Sequence, residues 1–278
     1  MNVTAFLDEF SLWSIFIVLV FSIIISIEFG FRLGKRQRIG APDGAKVETG
    51  AVVAASLGLL AFMLAFTFGA VTSNYSDRKQ LLLEEVNAVG TLFLRADLLP
   101  ASEGDRVQGM LSNYVNLRIE GIQRVQGIQR DRGLQKSEFE QGVKQIITRS
   151  EEIQAQLWSI AVDVADQNPT PINALFVQAL NEVIDLHEKR ITLAIFHRMP
   201  SIFWITLFGL TILAMMVSGY NSGVSGGRRS FTTTLGITLA FTAVLLLIIA
   251  LERPGQVFVS QDVLIKLQQT FNKAMQSQ

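Results

Sequence analysis

The fold turns on the stretch from Gly50 to Leu99, GAVVAASLGLLAFMLAFTFGAVTSNYSDRKQLLLEEVNAVGTLFLRADLL. Its first part, Ala51 to Val71, has no charged residue and is long enough, at 1.5 Å per residue, to cross a hydrocarbon core of about 30 Å. Beyond Val71 the chain turns polar, yet no proline occurs between Asp43 and Pro100 and glycine is sparse after Gly69. One helix is therefore expected from about Gly50 to Leu99, starting in the membrane and ending outside it. In its polar half Leu82, Val86, Val89, Phe93 and Ala96 recur at steps of four and three, which defines one apolar stripe. Leu81, Leu83, Leu92 and Leu94 flank that stripe, so this half is expected to be buried over most of its circumference.

Three further stretches have the same membrane-crossing character: Leu12 to Phe29, Ile202 to Tyr220 and Phe231 to Leu251, with Glu28 as their one charge. The fold class expected is an all-α integral membrane protein, with four transmembrane helices and an extramembrane helical bundle inserted between spans two and three. Hydrophobic residues at 49% and charged residues at 17% agree, since the polar middle dilutes four apolar spans. The divisions expected are 1–72 for the first two spans, 73–199 for the bundle, 200–252 for the last two spans and 253–278 for a tail.

Inside the bundle, Val107, Met110, Tyr114, Leu117, Ile122, Val125 and Ile128 predict a helix from about Gly104 to Arg130, ended by Gly133. Ser137 and Glu140 form a capping-box pattern ahead of the next helix, which Asn168, Pro169, Thr170 and Pro171 stop. A last helix runs from Ile172 toward Pro200, which predicts four antiparallel helices. After span four, Leu264, Leu267, Phe271 and Met275 make an amphipathic segment from Ser260 that is expected to dock on the bundle or at the membrane surface.

The flank of the first span, MNVTAFLDEF, carries Asp8 and Glu9 and no basic residue, unlike a signal peptide. Arg32, Lys35, Arg36, Arg38 and Lys46 follow span one, and Arg228 and Arg229 lie between spans three and four. Short basic loops stay cytoplasmic, so both termini and the bundle, including Gln135, are expected to be extracytoplasmic.

Little in the chain points to catalysis. Cysteine is absent and the formal net charge is zero, which removes thiol chemistry and any electrostatic pull toward nucleic acid. The two histidines, His187 and His197, are not at metal-ligand spacing, and a solvated or capping role is expected for them. Gly223, Gly226 and Gly227 read as a flexible turn, and Glu84 and Glu85 point to different helix faces. Glu28 with Arg32, and Glu252 with Arg253, read as interfacial ion pairs. No enzyme, cofactor or metal site is expected.

Span two differs from the others. Ala54, Gly58, Ala61, Ala65 and Gly69 form a small-residue face of the kind that lets helices approach in lipid. On a 100° wheel Leu59, Phe62, Phe66, Ser73, Asp77, Gln80, Glu84, Asn87, Thr91 and Arg95 share another face, aromatic in the membrane and polar beyond it. That profile fits a hydrophobic constriction opening into a wet vestibule, or else an aromatic pair facing lipid or a neighbour beside an internal polar network. Glu84 and Arg95 are about 16 Å apart along the axis, so each needs a partner from another helix or subunit, or water.

Several blocks resemble the bestrophin-like family of bacterial and plant membrane proteins. They are Glu84-Glu85-Val86-Asn87-Ala88-Val89-Gly90-Thr91 with Arg95 to Pro100; Gly58 to Ala61 with Phe66 to Gly69; Ala179 to Asp185; and Arg253-Pro254. The last block departs from the family pattern, closer to Asp-Arg-Pro-Phe-x-Gly, because Glu252 replaces the Asp and Gly255 follows the proline directly. The resemblance implies a homo-oligomeric ion channel of a bacterial inner membrane, whose partners are the lipid bilayer, its own copies and permeant ions. True bestrophins are ring-shaped channels, mostly for anions, with bulky apolar residues of the second span at a neck. They also keep the helical domain in the cytosol, against the orientation given by the basic loops. The alternative is a non-conducting scaffold or stress sensor acting through the bundle.

Overall fold

The computed structural model describes residues 3–40, 49–130, 136–196, 198–226, 231–253 and 262–276. They form α1 (Val3–Glu9), α2 (Leu12–Gly40), α3 (Gly50–Ala96), α4 (Ala101–Arg130), α5 (Lys136–Gln167), α6 (Pro171–Phe196), α7 (Ser201–Val224), α8 (Phe231–Glu252) and α9 (Asp262–Gln276). No strand occurs among the described residues. Among the described residues four helices are long and apolar enough to span a membrane: α2, α3, α7 and α8. Lys46, Gly133, Gln135, His197, Gly227, Arg228, Arg229, Pro254, Gly255 and Ser260, and the side chains of Ser137 and Glu140, lie outside what is described.

The long helix forms as its sequence predicts, unbroken over 47 residues, about 70 Å at 1.5 Å per residue. It ends in a tightened turn, with the Leu98 and Leu99 amides each donating to the carbonyl three residues back at 3.1 Å. Pro100 cannot continue it, and its carbonyl accepts the amides of Glu103 and Gly104 to start α4. Gly104 is required there, since a Cβ would come within 2.8 Å of the Ala96 carbonyl oxygen. The α5–α6 turn is capped by Thr170, whose hydroxyl accepts the Asn173 amide at 3.2 Å, with Pro171 at the first helical position.

The chain divides into two compact units. The first comprises Met1–Tyr75 and Arg198–Arg253. In it α2 packs against α7 and α8, and α1 against α7. A Cβ at Gly30 or Gly34 of α2 would strike the carbonyl oxygen of Met216 or Tyr220, and one at Gly219 or Gly223 of α7 would strike that of Ile27 or Phe31. Reciprocal pairs of glycines four apart thus bring two backbones into contact, which in lipid supplies the dispersion energy that water exclusion cannot. Gly223 is therefore part of a helix contact and not of a flexible turn; Gly226, at φ +70°, makes the turn. Two buried hydroxyls bond within their own helices, Thr67 to the Met63 carbonyl at 2.7 Å and Thr211 to that of Leu207 at 2.8 Å.

Glu28 and Arg32 pair at 2.7 Å as expected. Glu252 and Arg253 do not behave as the sequence suggests. Glu252 is buried and accepts the Met199 amide at 2.7 Å, while Arg253 bonds the Leu7 carbonyl and lies 3.7 Å from Asp8. Asp8 also pairs with Arg198 at 2.7 Å, so these charges fasten α1 to the ends of α7 and α8.

The second unit comprises Ser76–His197 and Pro254–Gln278. Here α4 packs on α5 and α9, and α5 on α6. The amphipathic tail docks on this bundle: Phe271 of α9 stacks on Phe93 of α3 with centroids 3.9 Å apart, and Leu264 is buried beside it. The apolar stripe of α3 is buried as expected, but Leu83 and Leu94 are exposed, Leu94 at 68%. The four-residue pattern therefore covers one side of α3 and leaves the other open, a narrower burial than its leucine content implies.

Candidate functional site

Within its own chain α3 is half clothed. Leu60, Leu64, Thr67 and Val71, then Leu82, Glu85, Val86, Val89, Leu92, Phe93 and Ala96, are buried. The wheel face singled out above is left open: Leu59 is 51% exposed, Phe62 66% and Phe66 53%. Phe66 touches a neighbouring ring, stacking on Phe203 at 6.2 Å. Farther along, Ser73, Asp77, Asn87 and Thr91 are exposed, and Glu84 and Arg95 are half-buried.

Of the two charges expected to need a partner from another helix or subunit, or water, Arg95 finds one on another helix and Glu84 on its own. Glu84 accepts from Gln80 on its own helix at 2.8 Å, and Arg95 donates to the Leu175 carbonyl of α6 at 2.6 Å. The small-residue face is uncovered as well. Ala54, Gly58, Ala61, Ala65 and Gly69 are all exposed, and a Cβ at Gly58 or Gly69 would meet nothing within 4 Å. Close helix approach inside the chain belongs to α2 and α7, which the reading of span two did not anticipate.

A second constellation escaped the sequence. Glu85, 1% exposed, faces the core of the second unit. Its Oε1 accepts the Tyr114 hydroxyl at 2.7 Å, and Arg118 lies at 3.2 Å from Oε1 and 3.4 Å from Oε2. Arg190 of α6 pairs with Oε2. His187, also 1% exposed, places Nδ1 3.0 Å from the Tyr114 oxygen and 3.9 Å from Glu85. His187 is thus neither solvated nor a cap. Burial, helped by the charge of Arg118, lowers its pKa from 6.5 to about 4. Burial likewise lowers Arg190 to about 10 and raises Tyr114. The signal was present in the helical period: Glu85 falls between Leu82 and Val89 on the buried stripe, where an ionised side chain needs a partner. Among the described residues no cluster of three or more His, Asp or Glu is placed to hold a metal.

The family model for the bestrophin-like domain matches residues 11–263. The chain belongs to the bestrophin-like family. Crystal structures of a bacterial bestrophin homologue from Klebsiella pneumoniae share its fold. One point mutant superposes with TM-score 0.64 at 14% identity, over 94% of this chain and 97% of that one. A second gives 0.62 at 15%, over 95% and 98%, and the zinc-phased structure gives 0.60 at 14%, over 93% and 96%. No curated protein is significantly similar to the chain. Four described helices, α2, α3, α7 and α8, have the length and apolarity of membrane spans, and no strand occurs among the described residues, in keeping with the bestrophin-like family.

Proposed function

We propose that this bestrophin-like protein is a homo-oligomeric ion channel of a bacterial inner membrane in which α3 lines the pore, Phe62 and Phe66 forming a hydrophobic neck. The observation that carries the reading is the open face of α3. An unbroken helix leaves Leu59, Phe62 and Phe66 uncovered in its membrane part, and Ser73, Asp77, Asn87 and Thr91 uncovered along the same wheel face beyond it. Aromatic rings around an axis narrow a path and dewet it, while polar side chains on the same line keep its mouth hydrated. Ala54, Gly58, Ala61, Ala65 and Gly69, about a quarter-turn away on the wheel, then serve the contact between neighbouring copies. The structural relatives being bestrophin homologues supports a channel as the first activity to test.

Purified protein in planar bilayers should pass current, and Phe66→Ala and Phe62→Ala should raise conductance or abolish closure. Absence of any conductance in wild type and both variants, over a range of voltage, pH and calcium, would leave a non-conducting scaffold. The basic residues Arg32, Lys35, Arg36 and Arg38 at the end of α2 support a cytoplasmic α2–α3 loop and an extracytoplasmic bundle.

A further inference from the structure

The buried Glu85 cluster lies off the open face of α3. Glu85 comes from α3, Tyr114 and Arg118 from α4, and His187 and Arg190 from α6, so five side chains tie three helices at one point. Helix α5 adds the Gln154 amide beside Tyr114, and α9 brings apolar Leu264 and Phe271 to the same core.

The hydrogen bonds fix where protons sit. A Tyr hydroxyl has one proton, and an ionised carboxylate can only accept, so Tyr114 donates to Glu85 and its oxygen accepts from His187. The neutral imidazole therefore carries its proton on Nδ1. Its Nε2 is buried and no acceptor reaches it among the described residues. A second proton would have to go there, unpaired, and would put a third cation beside Arg118 and Arg190 around one carboxylate.

We propose that Glu85, Tyr114 and His187, with Arg118 and Arg190 around them, form an acid-released lock that holds the Ser76–Ala96 part of α3 to α4 and α6. At neutral pH the ring is uncharged and the lock is closed. Protonated His187 is tolerated only when the ring leaves the cluster for solvent, which frees α6 from α3. The sign follows from the direction of the shift: the folded state holds the proton less tightly than the unfolded chain, so His187 favours the closed state above the ordinary histidine range. That contribution is lost as pH falls from about 6.5 through about 4. The inference stands whether or not the protein conducts.

Two measurements on full-length protein in nanodiscs test it. The His197→Gln variant leaves His187 as the one histidine, so 13C,15N-histidine labelling reports it alone. It should show the Nδ1–H tautomer, still neutral at pH 5.5. Amide exchange in α6 and in Ser76–Ala96, corrected for intrinsic rates, should accelerate by roughly two orders of magnitude between pH 7 and pH 4. His187→Asn keeps a donor near Nδ1 without a titrating group, and should remove most of that acceleration. Titration of His187 near 6.5, or equal acid acceleration in wild type and His187→Asn, would overturn the proposal. If His187→Asn does not fold, the histidine titration and the wild-type exchange profile decide alone.

Discussion

Glu85 shows what a single residue can hide. Its position in the Leu82 to Val89 stripe was readable from the helical period, but its partners lie 29 to 105 residues away on α4 and α6 and no local pattern announces them. The same distance explains His187: without Tyr114 in view, a histidine next to Glu188 and Lys189 looks solvated. Removing the carboxylate by Glu85→Ala strands two arginines in the core, and stability should fall by about 3–5 kcal/mol in chemical denaturation of the detergent-solubilised protein. Arg95 behaves differently, being half-buried and held by one backbone carbonyl. Arg95→Gln should cost no more than about 1.5–3 kcal/mol, the range for a hydrogen bond to a charged group, measured the same way.

Among the elements, the spans and bundle helices were legible because their apolar periods are long and several of their boundaries fall at prolines, Pro100, Pro169, Pro171 and Pro200. Spans were seen at Leu12, Ala51, Ile202 and Phe231, and the helices start at Leu12, Gly50, Ser201 and Phe231. Helix α1 was missed: seven residues with Asp8 and Glu9 at its end are too few to show a period. The choice of packing helix was also hidden. Small-residue patterns occur on both α2 and α3, and the sequence does not say which one meets a partner inside the same chain. Gly30→Leu or Gly219→Leu should push α2 from α7 and sharply reduce the yield of folded protein on size exclusion. Gly58→Leu meets empty space in the single chain, so it should leave the thermal stability of the dissociated protein unchanged while weakening the oligomer, as read by cross-linking or native mass spectrometry. Phe271→Ala should loosen α9 from Phe93 at a cost of about 3–5 kcal/mol.

For the whole molecule, two properties reach past one chain: which side of the membrane the bundle occupies, and whether copies surround a path. The basic residues of the short loops predict the first, an extracytoplasmic bundle. Because cysteine is absent, a cysteine placed at exposed Arg36 should be shielded from an impermeant thiol reagent in intact cells and one at exposed Glu151 should react. The reverse pattern would put the bundle in the cytosol, as the resemblance to true bestrophins implies. The second property is tested most directly by single cysteines stepped along α3 during bilayer recording. Reagents added to the conducting protein should block at positions 62, 66 and 73, which lie on the open face, and not at positions 60 and 64, which face the core. Block at 60 and 64 with none at 62, 66 and 73, or no current from any of these proteins, would contradict a pore lined by α3.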